Sequence, residues 1–90
     1  MKTYEFAIVL DASSYTDEEA GRLYEAGCDD STISRQGGSV FVEFDRESES
    51  LREAILSAIR EVQKAGFKVA RIETEESVTV NELNEQLQAV

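Results

Sequence analysis

Four aspartates, Asp11, Asp29, Asp30 and Asp45, are the side chains of this sequence best suited to chemistry. Carboxylate oxygens converging on one point bind Mg²⁺ or Ca²⁺, so a shared rim would make a divalent-cation or acidic small-ligand site. No glycine-rich phosphate loop or basic clamp accompanies them. Asp11 and Asp45 also precede expected helices, where a carboxylate complements the helix dipole without any metal. Cys28, the single cysteine, follows Gly27 and precedes Asp29 and Asp30, whose charge should raise its thiol pKa and leave it a small core filler. Histidine is absent, which removes imidazole acid–base chemistry, and one cysteine allows neither an internal disulfide nor a thiolate-rich zinc site. No nucleophile and base stand as a recognisable pair, so no catalytic residue and no cofactor are expected, and an enzyme is the least favoured class.

These groups sit in a chain of 90 residues, 41% hydrophobic and 31% charged, a size for one domain with one thin core. Nineteen acidic residues against nine basic give a formal net charge of −10, with the acidity concentrated before residue 46. Clustered lysines and arginines, which drive phosphate binding by counterion release, are lacking, so direct nucleic-acid contact by these residues is not expected. No apolar run approaches the ~20 residues of a membrane span, and the N-terminus has no basic stretch leading into an apolar one; the expectation is no membrane and a cytoplasmic location.

Periodicity supplies the elements. Residues 3–10 alternate Tyr4, Phe6, Ile8 and Leu10 with Glu5, Ala7 and Val9, a central strand with two largely apolar faces. Thr16 and Glu19 form a capping box for a helix over 16–26 whose apolar face is Ala20, Leu23, Tyr24 and Gly27. Residues 31–36 hold one large apolar side chain, Ile33, as an edge strand tolerates, and Gly37-Gly38 turns the chain into a strand over 39–44. In that strand Val40, Val42 and Phe44 oppose Phe41 and Glu43. Ser50 and Glu53 open the strongest helix, with Leu51, Ala54, Ile55, Ala58, Ile59, Val62 and Ala65 on one stripe and Gly66 as its stop. A last strand over 67–74 places Ala70 and Ile72 opposite Val69 and Arg71. Residues 78–90 carry a third capping-box pair, Thr79 and Glu82, and a helical stripe of Val80, Leu83, Leu87 and Val90.

The order is β1-α1-β2-β3-α2-β4, which predicts an α+β, ferredoxin-like split-βαβ domain over 1–76 followed by a C-terminal helical segment over 77–90. Its sheet is antiparallel in order 4-1-3-2, with both helices on one face. Taking β1 and β3 as parallel neighbours puts Asp11, Asp29, Asp30 and Asp45 near one rim. The opposite face presents Ala7, Val9 and Phe41 as a partly exposed apolar patch. Phe41 is too weak an echo of the stacking aromatics of RNA-recognition modules to predict base binding. The patch, with Val80, Leu83 and Leu87, is the expected interaction surface, met by a second copy, another protein or the chain's own C-terminal segment.

The runs TDEEAGRLYEAGCDDSTIS and VFVEFDRESESLREAILSAIREVQKAGFKVARIE resemble small uncharacterised bacterial proteins labelled as DNA-binding or transcriptional regulators. The likeness is fairly distinctive around Gly27–Asp30 and Phe44–Arg46. In that family a ferredoxin-like part precedes a helix-turn-helix, to whose start VTVNELNEQL is similar through Thr79, Glu82, Leu83 and Leu87. The resemblance implies a non-enzymatic dimerising or sensing module of a DNA-binding regulator, and it carries no catalytic residue.

Overall fold

A computed structural model describes residues 1–74. The C-terminal helical segment expected over 77–90, with Val80, Leu83 and Leu87, lies outside the described residues. The element order is β1 (Lys2–Leu10), α1 (Asp17–Glu25), β2 (Ser31–Gln36), β3 (Ser39–Ser48), α2 (Leu51–Lys64) and β4 (Val69–Glu73). The strands form one sheet in the order β2-β3-β1-β4, or 4-1-3-2 from the other edge, with every neighbouring pair antiparallel.

Local chemistry explains the boundaries. At α1, Thr16 accepts from the Glu19 backbone N–H and the Glu19 carboxylate accepts from the Thr16 N–H, a complete capping box. At α2 only one half of the box forms, with Ser50 Oγ accepting from Glu53 N–H. Gln36 pairs with Ser39 across Gly37 and Gly38, whose φ values of 56° and 81° suit the two-residue turn that matches strand twist.

One face of the sheet makes the core. Phe6, Ile8 and Leu10 of β1, Val40, Val42 and Phe44 of β3 and Ile72 of β4 pack against Leu23 of α1 and the Leu51–Val62 stripe of α2. Both helices therefore cover the same side. Phe6 and Phe44, cross-strand neighbours, stack with centroids 5.2 Å apart.

Several expectations change. β1 and β3 are antiparallel, not parallel. The connection through α1 returns β2 in the direction of β1, and the tight hairpin then reverses β3. β3 runs four residues past Phe44, so Asp45 lies inside a strand and not ahead of a helix. In β4 the register shifts: Leu10 pairs with Val69 but Val9 with Arg71, leaving Ala70 as a bulge. The extra residue resets the alternation, so Val69 packs on the core and Ala70 is exposed. Tyr24, assigned to the buried face of α1, is 68% exposed, because this nine-residue helix buries only Leu23 fully.

Candidate functional site

The antiparallel pairing takes the aspartate rim apart. Asp11 follows Leu10 at the Val40 end of β3, where its backbone N–H donates to Lys68 O. Asp45 pairs with Glu5, six residues back along β1, so roughly 20 Å of strand separates it from Asp11. Asp29 and Asp30 precede β2, and the Asp45 N–H donates to Asp30 O, so these two meet through backbone while Asp45 remains exposed. Among the described residues no group of three or more His, Cys, Asp or Glu side chains is placed to hold a metal ion.

What the fold builds around Asp30 is a buried cation. Arg46 continues the core-facing parity of Val40, Val42 and Phe44 and is 8% exposed. Its Nε and Nη2 donate to the two oxygens of Asp30 at 2.8 and 2.9 Å, a fork-to-fork pair. Nη1 donates to Glu61 Oε2 at 3.0 Å and to Ser57 Oγ at 2.9 Å, and Nη2 also reaches Gly27 O at 3.2 Å. The guanidinium lies 4.9 Å from the Phe44 ring centroid, within cation–π range. One side chain thereby ties the end of α1, the start of β2, β3 and α2 together.

Proton affinities follow from these contacts. Hydrogen bonding to Arg46 holds the Asp30 carboxyl below its ordinary value, and burial opposes this only in part. The Arg46 guanidinium is held still more firmly protonated, first by its hydrogen bonds to Asp30, against the pull of burial. The Cys28 thiol rises from 9.0 to about 11, through burial first and Glu61 second. Asp29 and Asp30 raise it too, but less than burial, and Arg46 opposes them. Cys28 is 3% exposed within the core.

The nearby hydroxyls serve the backbone. Ser57 Oγ donates to Ala54 O while accepting from Arg46, and Ser31 Oγ donates to Cys28 O at 2.6 Å. Neither is poised as a nucleophile beside a base. An open cleft of about 730 Å³ beside the first half of β1 is lined by Tyr4, Glu5, Leu51 and Glu73 among others, bringing carboxylates but no Lys or Arg.

The sheet face away from the helices carries Ala7, Val9 and Phe41 amid exposed Glu5, Glu43 and Glu73. Ala7 and Phe41 are half-buried as expected, whereas Val9 is only 1% exposed. In the sheet it sits in one row between Phe41 and Arg71.

Sequence reasoning missed Arg46, Ser57 and Glu61. The signal was present: the period of two that marks Val40, Val42 and Phe44 as inward also marks Arg46, and a buried cation demands partners. The stretches Gly27–Asp30 and Phe44–Arg46 are two of the parts this network joins. Compared with known proteins, the chain matches no family model, no curated protein and no solved structure.

Proposed function

We propose that this chain is a non-enzymatic, self-associating protein-interaction module of ferredoxin-like plan. The observation that carries the reading is how the polar chemistry is deployed. Asp30, Glu61, Ser57 and Arg46 are engaged with one another in the interior, while one sheet face and the outer edge of β2 have no described element packed against them. Side chains thus consumed stabilise a scaffold, and what a scaffold offers to others is surface. A place in a bacterial DNA-binding regulator, as its regulatory part, rests on the sequence likeness alone. The acidic-ligand alternative has lost the convergence of Asp11 with Asp45 on which it stood.

Sedimentation velocity of the full chain over a range of concentration tests the proposal. A concentration-dependent shift from monomer to dimer supports it, and a strict monomer at the highest concentrations overturns self-association.

A further inference from the structure

We infer that two copies of this chain join through β2, edge to edge and antiparallel about a two-fold axis at Ile33, making one continuous eight-stranded sheet. The inference rests on the self-association proposed above and names the surface responsible.

The two sheet edges are built differently. β4 carries a bulge at Ala70 and the charged residues Arg71 and Glu73, devices that discourage strand addition. β2 pairs with β3 in unbroken register over all its residues, contains no proline, and has no charged residue from Ser31 to Ser34. The open face is no better suited to a second copy, since Glu5, Glu43, Asp45 and Glu73 would meet their own kind in a chain of net charge −10. The neutral stretch of β2 is where two such chains can approach without opposing carboxylates.

The ladder also determines the register. Asp45 N–H donates to Asp30 O, so the hydrogen-bonded partners of β3 are Asp30, Thr32, Ser34 and Gln36. By alternation the N–H and C=O groups of Ser31, Ile33 and Arg35 point outward. A two-fold antiparallel pairing uses all of them in one register, with Ile33 against the partner's Ile33 and Ser31 against the partner's Arg35. On the other face Thr32 then opposes the partner's Ser34, uncharged on both sides. Exposed Arg35 comes diagonal to the partner's Asp29, an opposite-charge neighbour. On the helix side Ile33 and Tyr24 border a groove of about 90 Å³ between α1 and β2, and dyad-related Ile33 side chains would close its mouth. This would also give the exposed Tyr24 ring an apolar neighbour.

The test is sedimentation velocity of wild type, Thr32→Glu/Ser34→Glu, Thr32→Lys/Ser34→Lys and Arg35→Pro, with circular dichroism checking that each is folded. Like charges facing each other twice across the dyad should raise the dimer dissociation constant about tenfold or more in either double variant. Mixing the Glu and Lys variants should restore dimer. Arg35→Pro removes an outward N–H without touching the β2–β3 ladder, and it should weaken the dimer while leaving the fold intact. If Thr32→Glu, beside Glu43, proves unstable, the Lys variant and Arg35→Pro decide alone. A wild-type dimer unchanged by these substitutions overturns the β2 edge while sparing self-association; a wild-type monomer overturns both.

Discussion

Replacing Arg46 with methionine keeps an unbranched stem against Phe44 but strands two carboxylates, Asp30 and Glu61, that the guanidinium joins. Breaking a buried ion pair by removing one partner costs about 3–5 kcal/mol. The Asp30 and Glu61 side chains retain 30% and 23% exposure, so water recovers part of that. The expected loss is about 2–4 kcal/mol, or roughly 10–20 °C in Tm for a domain of this size. Urea unfolding at pH 7 would measure it, and a double-mutant cycle would apportion it. Coupling of Arg46 with Asp30, held by two hydrogen bonds, should exceed coupling with Glu61, held by one. The pH dependence has a definite sign. Asp30 is held below its ordinary 3.8, so its contribution is present above that value and lost as pH falls through the lower folded one. Arg46→Met should therefore flatten the acid limb of the stability curve below about pH 4. A loss under about 1 kcal/mol, or an acid limb unchanged by the substitution, would refute the claim that this cation pins the fold.

Further outcomes follow from the same region and from the hairpin. Gly27 has φ +117°, and a Cβ there would lie 2.6 Å from Glu61 Oε1; Gly27→Ala should cost about 1–3 kcal/mol. Part of that loss should vanish in a Glu61→Ala background, which thermal melting of the four proteins would reveal. Burial raises the Cys28 pKa to about 11, so folding favours the protonated thiol. That contribution holds below about pH 9 and fades as pH rises toward 11, and Cys28→Ala should lessen the alkaline loss of stability over that interval. A thiol reagent should label native Cys28 only at the rate at which the protein opens. Gly37, at φ 56° with nothing near its missing Cβ, should accept asparagine with a gain of roughly 0.5 kcal/mol in urea unfolding.

Much of the fold was legible because its signals are local. Thr16 with Glu19, Ser50 at the head of a long apolar stripe, and Gly37-Gly38 between two extended runs act within a few residues, and each marks its element in the structure. Local patterning also identified β2 as an edge, since one isoleucine in a polar run suits few other places, and Cys28, beside two aspartates that disfavour its thiolate, was read as a core filler and lies in the core. The candidate site was less legible. Arg46 was visible as an inward parity position, but its acceptors come from residues 11 to 19 positions away, brought to it by packing alone.

Over residues 1–74 the amino-acid sequence by itself determined which segments are helix and which are strand, where the helices are capped, and that one side of β1 and of β3 is apolar, because backbone propensity and side-chain period act over a few residues. Only the tertiary structure decided that β1 and β3, neighbours in the expected antiparallel sheet but taken as parallel for the aspartate rim, run in opposite directions, that a bulge turns Val69 inward, and that Asp11 and Asp45 stand apart while Asp30, Arg46 and Glu61 meet. The reason is physical: strand direction depends on every connection taken together, and a one-residue slip exchanges the faces of all that follows. Carboxylates that look equivalent along the chain become ligands, network members or solvated charges according to which strands lie side by side.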